Sequence, residues 1–131
     1  MAKRLFQMLL LGAAVLPAAL PAAVASDLSI AGRGASLEQA VSAPHGSSYR
    51  LLILGKELQR IKASEADEDV RAALDYARRS GAVVFVCKKD LRTQHLHPAD
   101  LVSGVVPVDA SDVWENGAPS EADQRLRSIC S

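Results

Sequence analysis

Gly81-Ala82-Val83-Val84-Phe85-Val86-Cys87-Lys88-Lys89 carries more structural information than any other stretch of the chain. Its apolar run is short, β-branched and continuous rather than alternating, the pattern of a strand covered on both faces, as in a parallel sheet. Glycine precedes the run and two lysines follow it, so Cys87 stands where a buried strand emerges into a cationic loop. Open parallel sheets bind ligands at the carboxyl ends of their strands. Adjacent ammonium groups favour thiolate over thiol, and the thiolate is the nucleophile in sulfur-transfer or redox chemistry. Cysteine is also among the most commonly buried residues and packs there as a small hydrophobe. Position alone therefore leaves a reactive and a structural Cys87 both open.

Upstream, Val70, Ala73, Leu74 and Ala77 recur at i, i+3, i+4 and i+7 before Gly81, and Ser64 with Asp67 resembles a capping box. The spacing predicts a surface helix over residues 67–80 with one apolar stripe. Residues 49–54, bounded by Gly46-Ser47-Ser48 and Gly55, read as a core strand whose glycine marks its exit. Strand, helix and strand make a βαβ unit with a right-handed crossover, which brings Gly55 and Cys87 to one sheet edge. Downstream come a loop through His95, Leu96 and His97, then Pro98 at a first helical position with Asp100. Val105–Val108 reads as another strand, and Asp109 as the cap of a last helix over residues 110–115. Residues 26–48 are weakly patterned. Asp27-Leu28-Ser29-Ile30 suggests a short strand, Gly32 and Gly34 a turn, and residues 36–41 a helical turn or two. The fold class is thus α/β, a small and mostly parallel sheet flanked by helices.

At the N-terminus Lys3 and Arg4 precede an apolar stretch that ends in Ala23-Val24-Ala25. Basic region, apolar region and Ala-x-Ala site occur in the order of a secretory signal peptide, residues 1–25, with cleavage expected between Ala25 and Ser26. Pro17 and Pro21 interrupt the stretch, which is shorter than the ~20 apolar residues of a comfortable span. Cleavage would leave no membrane span. It would also leave 13 Lys and Arg, 15 less the two removed, against 15 Asp and Glu. That balance and the interleaving of acidic residues argue against nucleic acid as a partner. A domain this small can build only a modest core, which makes oligomerisation plausible.

An exported chain with two cysteines, Cys87 and Cys130, is permitted to pair them. Cys130 lies in the polar segment 120–131, expected to be mobile unless docked. Three states stay open for it: a permanent structural bond to Cys87, a reversible bond in which it acts as a resolving thiol, and a stray tail thiol. His95 and His97 with Cys87 offer N and S donors, but their spacing matches no compact metal motif. The histidines read instead as loop residues, His95 being taken as the one beside the Cys87 pocket. Gly32-x-Gly34 lacks the lysine and the strand-glycine-helix context of a phosphate loop, and no Gly-x-Ser-x-Gly elbow exists. No cofactor is implied.

Taken together, Leu51-Leu52-Ile53-Leu54-Gly55, the amphipathic helix, Gly81 through Cys87, Leu91, Leu96-x-Pro98-x-Asp100-Leu101-Val102-x-Gly104-Val105 and Val106-Pro107-Val108 resemble the DsrE/DsrF-like sulfur-relay family. The resemblance is clearest over residues 49–115, within a domain of residues 26–119. It implies a three-layer α/β sandwich that assembles as a trimer or hexamer. It further implies that Cys87 carries a persulfide, accepting sulfane sulfur from a donor protein and passing it to an acceptor. Lys88, Lys89, Gly55 and His95 would line the site. The chain departs from the family pattern in the short opening segment 26–48 and in Lys88-Lys89-Asp90 after the cysteine. The alternative is a non-catalytic binding or assembly module of the same fold.

Overall fold

The computed structural model describes residues 26–112 and 120–131. The expected signal peptide, residues 1–25, and the part of the expected last helix beyond Asp112 lie outside the described residues.

Four strands, β1 (Ser26–Ala31), β2 (His45–Ile53), β3 (Ala82–Cys87) and β4 (Val105–Val108), form one all-parallel sheet in the order β1-β2-β3-β4. The central pair places Leu52 opposite Phe85 and Ile53 opposite Val86, while Cys87 pairs with Val108 on β4. Strands paired on both sides and covered on both faces need apolar residues at almost every position, which is why β3 lacks alternation.

One face of the sheet carries most of the helical mass. Helix α1 (Leu37–Ser42) and helix α3 (Glu68–Arg79) pack there, burying Leu37, Ala40 and Val41, and Val70, Leu74 and Ala77, against Tyr49, Leu51, Ile53, Val84 and Val86. Helix α3 has the stripe expected of it. Its cap is Asp67, whose carboxylate accepts from the Val70 amide at 2.9 Å, and Ser64 sits in the preceding turn. Acidic Glu68 and Asp69 at its start and basic Arg78 and Arg79 at its end complement the helix dipole. Gly81 ends it at φ +102, in close approach to β2. A Cβ there would sit 2.0 Å from the Ser47 carbonyl oxygen, so the residue between helix and strand must be glycine.

The opening segment is fully used rather than abbreviated. Ser29, the polar residue that breaks the pattern of β1, is buried and donates its hydroxyl to the Ala40 carbonyl at 2.9 Å, while Ser36 caps α1 with Gln39 in a reciprocal box. Helix α2 (Lys56–Arg60) follows β2 directly. Its Arg60 donates to both oxygens of Glu38 at 2.8 and 2.6 Å and to Glu57 at 2.7 Å, tying α2 to α1. The Arg60 hydrogen bond holds the Glu38 carboxyl down at about 2.

Three segments differ from expectation. Residues after Cys87 form a short helix, α4 (Lys88–Thr93), instead of a loop, whereas the helical start expected at Pro98 is present as one turn of 3-10 helix, Pro98–Asp100, with His97 at its cap. Asp109 accepts from the backbone amide and hydroxyl of Ser111 in a turn, and residues 110–112 are not helical. The segment expected to be a mobile tail is helix α5 (Glu121–Ile129), packed on the second face of the sheet. Its Ala122 and Leu126, with Cys130, cover Leu28, Leu52, Leu54, Phe85 and Val108. The architecture is therefore a three-layer α/β sandwich of helices, parallel sheet and one helix. Helix α5 does not reach the whole face, and Val83 and Val106 stay 49% and 40% exposed. Among the described residues no helix is long and apolar enough to cross a membrane.

Candidate functional site at the carboxyl edge of the sheet

Strand β3 ends in Cys87, which is bonded to Cys130 at the end of α5, with the two Cα atoms 5.0 Å apart. Both sulfur-bearing residues are buried, Cys87 at 0% and Cys130 at 2% exposure. The second cysteine comes within reach because α5 is anchored along its length. At its start, the Ser120 hydroxyl accepts from the Asp123 amide and the Asp123 carboxylate accepts from the Ser120 amide, both at 3.1 Å. The same carboxylate pairs with Arg50 of β2 at 2.6 Å, so the cap is pinned to the sheet. Leu126 is fully buried at mid-helix, a burial that contributes about 1.5–3 kcal/mol. Its carbonyl accepts from the Cys130 amide at 3.0 Å, fixing the second sulfur over the end of β3.

Gly55 leaves β2 beside Cys87 at φ +58. Its amide donates to Asp90 at 2.9 Å, and its carbonyl accepts from the Gln94 side chain at 2.9 Å, which in turn accepts from Gln59 at 2.7 Å. Asp90 on α4 and Gln94 at its C-terminal cap thereby bind two strand exits together. This explains the helix that replaces the expected loop, since the polar residues following Cys87 are held by tertiary hydrogen bonds rather than by an apolar stripe.

A cleft of about 240 Å³ opens at this edge. The strand exits supply Gly32, Leu54, Gly55 and Cys87; Arg33, Lys89, Asp90 and Ile129 complete the lining. Larger hollows of about 340 and 280 Å³ lie along α5 and beside α2, away from the sulfur atoms. Gly32, at φ +104, packs so tightly on β2 that a Cβ would lie 2.1 Å from the Leu54 carbonyl oxygen.

The residues singled out from sequence divide here. Cys87, Cys130, Gly55 and Lys89 come together at this edge, Lys89 donating to the Ser131 backbone oxygen at 2.6 Å. Lys88 turns instead toward Asp112 and Asp109, at 3.4 and 3.8 Å. The Ser111 hydroxyl, followed by weaker contributions that include Lys88, lowers the pKa of Asp109. His95 is not part of the cleft. It is exposed just past α4 in the left-handed conformation, φ +57, and does not line the cleft. Among the described residues no three His, Cys, Asp or Glu side chains converge as metal ligands. Arg33, Asp90 and Ile129 were not foreseen. Only the one-turn spacing of Asp90 and Gln94 and the stripe Ala122, Leu126, Ile129 gave a signal for them. No family model, curated protein or solved structure matches the chain significantly.

Proposed function

We propose that the protein is an exported sulfane-sulfur carrier in which Cys87 holds a persulfide and Cys130 is the resolving thiol. One observation carries the reading: Cys87 ends a central parallel strand at a ligand-sized edge cleft, with a second thiol already within bonding distance. In the reduced protein, the Cys87 thiolate attacks the outer sulfur of a donor persulfide, giving Cys87–S–S⁻ and the donor thiol. Transfer to an acceptor thiol reverses the same exchange. In the absence of an acceptor, the Cys130 thiol attacks the inner sulfur, forming the Cys87–Cys130 bond and expelling hydrosulfide. The disulfide is then the discharged state, and an external dithiol, itself oxidised to a disulfide, resets it. The likeness to DsrE/DsrF-like proteins and the signal-peptide pattern support the same reading, and bring with them an oxidising compartment, donor and acceptor proteins, and a trimeric or hexameric assembly.

Burial of both sulfur atoms favours a second reading, a non-catalytic binding module that the disulfide permanently pins. The two separate on persulfide lifetime and midpoint potential. The carrier predicts that Cys130→Ser prolongs the Cys87 persulfide and suppresses hydrosulfide release, with a potential well above about −300 mV. An unchanged lifetime removes Cys130 from the mechanism, and a potential below that value supports the pinned module.

A further inference from the structure

The turn between β1 and α1 places Arg33 between two left-handed glycines, Gly32 and Gly34, at the mouth of the cleft. Gly32 can hold the turn there only because it lacks a Cβ, so the position of Arg33 is set by backbone packing rather than chance. The other charged groups in the lining are engaged. Asp90 accepts from the Gly55 amide, and Lys89 donates to the Ser131 oxygen. Arg33 is exposed, and its guanidinium has no hydrogen-bond or ion-pair partner among the described residues. A planar guanidinium presents a fork of donors suited to oxyanions. The inner wall differs in character, being built of Leu54, Ile129 and the buried Cys87. At about 240 Å³ the cleft is smaller than the roughly 300–1,000 Å³ pockets of drug-sized ligands.

We infer that this cleft binds a small sulfur oxyanion of the thiosulfate class, with Arg33 on the oxyanion end and the soft terminal sulfur against Leu54, Ile129 and Cys87. This deepens the carrier reading and, as a substrate assignment, rests on it. In the reduced protein, once α5 releases the buried Cys87, its thiolate attacks the terminal sulfur. The sulfur–sulfur bond of thiosulfate breaks, the bond of Cys87–S–S⁻ forms, and sulfite leaves with the electron pair. Lys89, beside the departing group, keeps the cleft cationic.

Binding is tested apart from transfer by titrating thiosulfate, and separately sulfate, into the full chain with the Cys87–Cys130 bond intact, so that no thiolate is present. Calorimetry at fixed ionic strength should show thiosulfate binding at least fivefold tighter than sulfate. Arg33→Gln should weaken it tenfold or more, and Arg33→Lys less. Absence of thiosulfate binding, or equal affinity in Arg33→Gln, overturns the site; equal affinity for sulfate overturns the sulfur-end assignment. Persulfide formation on the reduced protein from polysulfide is read independently. Arg33-dependent binding without any persulfide sinks the carrier and the substrate assignment but leaves the anion site, whereas persulfide without Arg33-dependent binding does the reverse.

Discussion

Cys87 is fully buried beneath α5, so chemistry at its sulfur requires that reduction free that helix. The size of the effect follows from the connectivity. Cys87 and Val108 are paired in the sheet, so within the folded core the disulfide closes only the segment from Asp109 to Cys130. By chain entropy a loop of roughly 20 residues constrained in this way is worth about 3 kcal/mol. Cutting the bond should therefore raise the undocked population of α5 by two to three orders of magnitude. What remains among the described residues to hold α5 is the packing of Ala122, Leu126 and Ile129, the Arg50–Asp123 pair, the Lys89–Ser131 hydrogen bond and a capped helix of nine residues, shorter than isolated helices that persist in water. The assay is amide exchange on oxidised and reduced protein, following the Gln124 and Cys130 amides against those of Leu52 and Val86. Exchange at the α5 amides should accelerate at least a hundredfold on reduction while β2 and β3 stay protected. Acceleration of less than tenfold would refute the reasoning, and Cys87 would then be an inaccessible core residue in either redox state.

The remaining expectations concern the frame and its processing. Gly81→Ala should cost at least about 3 kcal/mol, because strain at φ +102 adds to a Cβ that would meet the Ser47 oxygen at 2.0 Å, whereas Gly34→Ala, with open space around it, should cost about 1 kcal/mol; urea unfolding of the two variants distinguishes them. The Glu38 carboxyl, held at about 2 against 4.5 when free, stabilises the fold above pH 4.5, and that stabilisation is lost as pH falls toward 2. Because Glu38 is 42% exposed, solvent screening limits it to about 1 kcal/mol, and Glu38→Gln should flatten the acid limb of the denaturation curve by that amount. N-terminal sequencing of exported protein should begin at Ser26, and material retaining Met1 would contradict the signal-peptide reading.

Residues whose environment is set locally were legible, and those set by distant contacts were not. The continuous run Ala82–Cys87 and the stripe of α3 both announce their burial, and the structure places both elements as the sequence predicts. Helix α4 has only Leu91 buried, and its tie to Gly55 through Asp90 and Gln94 joins residues 35 and 39 positions apart, beyond the reach of periodicity. Helix α5 did carry a signal, Ser120-x-x-Asp123 followed by Ala122, Leu126, Ile129 and Cys130, but with so few large apolar residues its docking depends on Arg50 and the disulfide, which belong to other elements. At the site Cys87 was readable from its position at the end of a strand, whereas its bond to Cys130 stays open in the sequence because the docking of α5 is not legible there. Arg33 was hidden because its place depends on Gly32 lying against Leu54.

The central claim, that Cys87 is a sulfur acceptor, is tested most directly by the intact mass of the reduced protein after exposure to polysulfide. The account predicts one sulfur, about 32 Da, removed by reductant and absent in Cys87→Ser. An unmodified mass, or an adduct that persists in Cys87→Ser, would contradict it.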